Sequence, residues 1–231
     1  PRFAQKIRDE VVDVRDDGSI RLHLDAFTFP VGLTMTGRRM ETLFGPRRRP
    51  EGPLTERDVD LAASIQRVTE EIVLKMARHV RRETDEKNLV MAGGVALNCV
   101  ANGLLVREKV FDDVWIQPAA GDAGGALGAA LLAYHRYAGQ PRTPQHPDAM
   151  QGAALGPAFP DDEIAAFLDA QNVPYQRLGD EHALVEYVAD LLADGGAVGW
   201  FQGRMEFGPR ALGHRSILAD PRGRDVQRLV N

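Results

Sequence analysis

Two copies of one pattern in the middle of the chain constrain its fold more than any other feature. Residues 88–92 form a short apolar run, Gly93 and Gly94 follow, and a helix-forming stretch continues to about Lys109. The order repeats with residues 114–117, the loop 118–125 that carries Gly121, Gly124 and Gly125, and the small-residue stretch 126–137. A strand that leaves through a tight turn into a helix returns beside itself in the parallel sense. Consecutive β-loop-α units therefore predict an α/β fold with a largely parallel sheet.

Upstream, residues 20–24 read as a strand in a region broken by Asp17, Gly18, Pro30, Gly32 and Gly37. From Thr55 a long helix is predicted, with Leu61, Ile65, Val68, Ile72, Met76 and Val80 recurring every three or four residues on one face. Thr55 and Asp58 have the spacing of a capping pair, and Leu54 and Val59 that of a hydrophobic staple. Residues 139–160, rich in Pro, Gly, Gln and His, read as an exposed connection with a domain boundary near residue 150. Beyond it, helices are expected at 161–170 and 183–193, and strands at 174–178 and 197–202, which opens a second α/β unit.

Composition excludes several function classes. A formal charge of −5 argues against a nucleic-acid or anionic-membrane partner, because both require a basic surface. The run Arg47, Arg48, Arg49 reads as a solvated loop. The single cysteine, Cys99, permits no internal disulfide and no thiolate metal cluster, which fits a reducing cytoplasm. Cys99 falls in an apolar helical run, where it is expected to be a buried small hydrophobe without chemistry. No apolar run has the length of a membrane span and no signal-peptide pattern opens the chain. Because Pro1 comes first and few residues follow the turn at 220–223, truncation at both ends is expected.

Three constellations could carry chemistry. Gly93 and Gly94 let a backbone approach a ligand at the start of a helix, where a nucleotide phosphate fits; the alternative is an unliganded turn. Asn98 and Asn102 add amides one helical turn apart. In the second loop Asp122 stands alone among small residues, with Gly124 and Gly125 beside it. A carboxylate at the carboxyl end of a strand can hold a divalent metal or position a nucleophile, or it can simply cap the next helix. The third constellation is the loop in 199–216, where Arg204, Arg210 and Arg215 are interleaved with Gly203, Gly208, Pro209 and Gly213. Arginine meets phosphate and carboxylate bidentately, so converging arginines suit a polyanionic substrate. Solvated arginines, or a structural pair with Glu206, are the alternative. His214 is a candidate proton acceptor or phosphate donor, or a spectator.

Taken together, residues 54–221 resemble the carbamoyltransferase family of antibiotic-tailoring and nodulation O-carbamoyltransferases. The most specific stretches are 92–99, 117–128 and 203–220. The resemblance implies that residues 1–150 are the C-terminal part of an actin-like ATPase domain, related to universal tRNA threonylcarbamoyl enzymes. Residues 151–231 would begin a YrdC-like domain that forms carbamoyl adenylate from carbamoyl phosphate and ATP. The carbamoyl group would pass to a hydroxyl of a small molecule or oligosaccharide. On this resemblance Gly93, Gly94, Asn98, Gly124 and Gly125 approach the nucleotide and Asp122 ligates a metal; the cofactors implied are ATP and Mg2+, with Fe2+ or another divalent metal as a further candidate. The two histidines that complete such a site in the family have no counterpart before residue 88, where His23 and His79 stand far apart. Arg204, Arg210, Arg215 and His214 would serve the carbamoyl phosphate. With both flanks missing, the chain by itself is expected to be inactive. An actin-like small-molecule kinase or chaperone ATPase, a non-catalytic binding module, and a related enzyme of tRNA modification or hydrogenase maturation are the competing readings.

Overall fold

The computed structural model describes residues 1–50, 52–146, 148–223 and 225–231. It is a mixed α/β chain in two compact units, one of Pro1–Met91 with Val95–Ile116, the other of Ala92–Gly94 with Gln117–Asn231. The α/β class predicted from the repeated pattern is thus borne out.

The first unit begins with helix α1 (Ala4–Glu10), the antiparallel strands β1 (Val12–Val14) and β2 (Ile20–Leu22), and helix α2 (Arg38–Phe44). The long helix α3 (Glu56–Thr84) follows, and then strand β3 (Asn88–Met91), helix α4 (Cys99–Arg107) and strand β4 (Asp113–Ile116). The cap of α3 forms as its sequence predicts. Thr55 accepts the Asp58 N–H while the Asp58 carboxylate accepts from the Thr55 N–H at 3.0 Å, closing a reciprocal box. Leu54 and Val59, by contrast, both stay more than half exposed.

The buried face of α3 is displaced from the predicted stripe. Ser64, Val68, Val73 and Ala77 are buried, whereas Ile65, Met76 and Val80 are exposed. The cause is that α3 serves two cores. Val68 packs with Ala4, Ile7, Val11, Val12 and Phe44, and Val73 and Ala77 pack with Ala101, Leu105 and Phe111. Ser64 tolerates full burial because its hydroxyl accepts the Phe3 N–H at 3.0 Å and donates to the Asp60 carbonyl at 2.6 Å.

Strands β3 and β4 pair in parallel, in a register running from Asn88 with Asp113 to Met91 with Ile116. Leu89, Met91 and Val114 pack against the α3–α4 core, while Val90 and Trp115 on the other face are exposed. The prediction of a largely parallel sheet is correct for this pair only. Each described sheet has two strands, and the other two are antiparallel.

The second unit contains helices α5 (Asp122–Leu132), α6 (Asp161–Ala170) and α7 (Glu181–Ala193), strands β5 (Ala197–Phe201) and β6 (Arg215–Ala219), and the short helix α8 (Val226–Val230). Helix α6 has the predicted limits, and its three leading acids suit the positive end of the helix dipole. Residues 174–178 do not form the expected strand, since extended backbone without a ladder partner is not a strand. The predicted connection also needs correction. Residues 139–146 are exposed, but Met150 and Ala153 are buried, and residues 153–157 are bonded into the arginine loop.

Candidate functional site

Within the second unit, three glycines from distant parts of the sequence close on Ala119 and Ala120. The Gly93 N–H donates to the Ala120 carbonyl at 2.7 Å, with Gly93 at φ +98°, a conformation that glycine adopts without strain. A Cβ on Gly124 would overlap the Ala119 carbonyl oxygen. Gly208 lies so close that a Cβ there would stand 3.0 Å from the Ala119 Cα, and its φ is +122°. Ala119 is fully buried as a result. Sequence reading had no signal for these alanines, because a small residue is diagnostic only once its neighbours are known.

Asp122 is placed differently from the expectation. It is the first residue of α5, not part of the loop, and Gly121 occupies the N-cap, so the alternative of a capping aspartate is also excluded. Its carboxylate is exposed. Among the described residues no group of three His, Cys, Asp or Glu side chains is gathered that could hold a metal ion. Among the described residues Asp122 therefore belongs to no three-ligand set for a divalent ion. Around Gly93, Gly94, Gly121 and Gly125 a Cβ would meet nothing within 4 Å, so the surface of both loops is open.

Asn98 lies in the first unit and caps α4. Its Oδ1 accepts the Ala101 N–H at 3.1 Å, and its amide exchanges hydrogen bonds with Gln66 at 2.9 and 3.2 Å. Asn102 donates to the Ala96 carbonyl at 2.7 Å. Cys99 is exposed at the first position of α4, which corrects the expectation of a buried thiol.

The arginine loop is the connection between β5 and β6, whose ladder runs from Ala197 with Ala219 to Phe201 with Arg215. Its base is extended by the Gln202 N–H, which donates to the His214 carbonyl at 2.8 Å. On its other side Met205 bonds to Pro157 and Gly156, and Phe207 to Ala153, all through backbone groups at 2.7–2.9 Å. Glu206 is the buried centre, 2% exposed. Its Oε1 accepts the N–H groups of Leu212 at 2.6 Å and His214 at 2.9 Å, and its Oε2 lies 3.3 Å from the Arg215 Nε. Arg215 also donates from Nη2 to the Gly208 carbonyl.

Burial pushes the Glu206 carboxyl up. The backbone N–H groups of Leu212, His214, Glu206 and Arg215 outweigh it and hold the carboxyl at about 2, against an ordinary 4.5. Glu206 is thus ionised at neutral pH. The structural pair considered at the sequence level forms with one arginine only. Arg204 and Arg210 are exposed and have no ion-pair or hydrogen-bond partner among the described residues. His214 donates from Nδ1 to the Gln202 carbonyl at 2.8 Å, since a carbonyl can only accept. The neutral ring therefore offers Nε2 as an acceptor, and His214 can donate from Nε2 to an anion only when protonated.

These features define an α/β protein in which an arginine-bearing loop is seated on a glycine-rich turn. Residues 2–131 match the family profile described as the carbamoyltransferase N-terminus, and residues 189–231 match that of the carbamoyltransferase C-terminus. The chain belongs to the carbamoyltransferase family. It is 52% identical over 234 residues to an uncharacterised protein of Synechocystis, with 100% of the chain and 38% of the relative covered. It is 39% identical over 223 residues to the nodulation protein NolO of Bradyrhizobium diazoefficiens, covering 95% of the chain and 37% of that protein. Similarity to the 3'-hydroxymethylcephem-O-carbamoyltransferase of Streptomyces clavuligerus is 35% over 154 residues, covering 66% of the chain and 27% of the relative. The chain thus spans 27% to 38% of the length of these relatives. No helix among the described residues is long and apolar enough to cross a membrane.

Proposed function

We propose that the full-length protein is an ATP-dependent O-carbamoyltransferase of the cytoplasm. Carbamoyl phosphate, ATP and water give carbamoyl adenylate, pyrophosphate and phosphate. An acceptor hydroxyl then attacks the carbamoyl carbon and AMP leaves. The observation that carries this reading is the arginine loop, whose Arg204 and Arg210 are exposed and unpaired among the described residues while a buried glutamate organises the backbone beneath them. Guanidinium groups left free on an ordered loop suit a phosphorylated substrate and the charge that shifts in its displacement. Arg204 and Arg210 hold the carbamoyl phosphate, Arg215 braces the loop beneath them, and His214 accepts a proton at Nε2.

Gly93, Gly94, Gly124 and Gly125 belong to the nucleotide side, within an actin-like domain that ends near residue 150. The remainder is the start of a YrdC-like domain. Magnesium enters with ATP as its counter-ion. No step is assigned to a metal at Asp122. The acceptor is a hydroxyl-bearing small molecule or oligosaccharide, a class consistent with the family members named for nodulation and for cephem carbamoylation.

The test is pyrophosphate release by the full-length protein from ATP with and without carbamoyl phosphate. Release that depends on carbamoyl phosphate is expected, and its absence overturns the reading. A small-molecule kinase would form ADP without any need for carbamoyl phosphate.

A further inference from the structure

The sequence of the arginine loop offers three guanidinium groups, but the fold treats them unequally. Arg215 is engaged from both sides, by the Glu206 carboxylate at 3.3 Å and by the Gly208 carbonyl. Its charge is offset inside the loop. The contacts of Glu206 reach Leu212, His214 and Arg215, so one carboxylate ties the beginning of the loop to its end. Gly208, Pro209, Arg210 and Ala211 form the arch between these ties. The near side of the arch rests on Ala119 through Gly208.

A carboxylate this deeply buried is unfavourable unless its charge is answered by donors. Here two backbone N–H groups answer one oxygen and a guanidinium faces the other. The Oε2 atom is shielded from water, makes no geometrically proper hydrogen bond among the described residues, and faces the Arg215 Nε at 3.3 Å. Removing either member of the pair leaves a buried charge or a loose arch. The exposed Arg210 would lose its fixed base in either case.

We propose that Glu206 is a positioning residue that clasps Arg215 and the backbone of Leu212 and His214, setting the arch so that Arg210 meets the phosphorylated substrate alongside Arg204. Arg215 acts through this clasp. The role rests on the reading of the loop as the carbamoyl phosphate site. It assigns Glu206 no contact with substrate and no proton transfer.

The experiment is steady-state kinetics of pyrophosphate release by the full-length protein, with carbamoyl phosphate and ATP varied separately. Glu206→Gln keeps an acceptor for a backbone N–H and removes the charge facing Arg215. It is expected to raise KM for carbamoyl phosphate about tenfold while KM for ATP changes by less than about twofold. Arg215→Lys keeps the positive charge but loses the fork that reaches Gly208, so it gives the same split. The double variant is expected to be little worse than either single one, as for partners in one interaction. Should Glu206→Gln fail to fold, Arg215→Lys still decides the matter. Unchanged KM for carbamoyl phosphate in a folded variant overturns the positioning role, as does an equal rise in both KM values. A wild-type enzyme without carbamoyl-phosphate-dependent release overturns the underlying reading instead, so the two failures are distinct.

Discussion

Glu206 makes the arginine loop pH-dependent in a definite direction. Its carboxyl lies at about 2 in the folded chain against 4.5 ordinarily, so it stabilises the folded state fully above 4.5. That contribution falls as the pH drops from 4.5 toward 2 and the group takes up a proton. The thermal stability of the wild type should therefore exceed that of Glu206→Gln at pH 7, and the gap should narrow through this window. A gap that widened on acidification would contradict the assignment. Gly208 gives a second test at the same scale. Its positive φ and its closeness to Ala119 both oppose a side chain, so Gly208→Ala should destabilise by about 1–3 kcal/mol. Gly125→Ala, where φ is not positive and a Cβ meets nothing, should be neutral or slightly stabilising. Urea unfolding of the two variants makes the comparison. Of these residues, Arg204, Arg210, Arg215 and His214 were legible because charged groups interleaved with glycines are conspicuous in a sequence. Ala119 and Ala120 were not, since their importance comes from what packs against them.

Secondary-structure elements were legible in proportion to how much of their stability is local. The start of α3 is written in Thr55 and Asp58, and the predicted box is present. Thr55→Ala should lower the stability of the first unit by about 1 kcal/mol. Helix α6 has its predicted bounds because its acidic first turn and the preceding Pro160 act within the element itself. The buried side of α3 was less legible, since two cores claim different sides of one helix. Leu105, fully buried beside Val73, Ala77 and Phe111, is the sharper probe of the second core. Leu105→Ala should cost about 2–5 kcal/mol, read as a shift in the unfolding midpoint. Trp115 in the first unit and Trp200 in the second allow each to be followed by fluorescence when the other is replaced by Phe.

At the scale of the whole molecule, apolar surface is left exposed in both units. No residue of α5 is buried, although its sequence is almost wholly apolar, and Leu131 and Leu132 are about half exposed. Contiguous apolar surface of this kind promotes association. Leu132→Glu should change unfolding stability by less than about 0.5 kcal/mol and reduce concentration-dependent self-association in sedimentation. A large loss of stability would mean that Leu132 is packed in solution.

The sequence by itself determined the α/β class, the limits of α6, the capped start of α3 and the family. These depend on periodicity, caps and motifs that lie within a few neighbouring residues. Only the tertiary structure decided that Asp122 opens a helix, that Cys99 is exposed, that residues 174–178 are no strand, and that Glu206 takes Arg215 and leaves Arg204 and Arg210 free among the described residues. The physical reason is the same in each case. A ladder partner, a buried counter-charge and a close glycine contact are supplied by residues distant in the chain, and local sequence carries no record of which of them will meet.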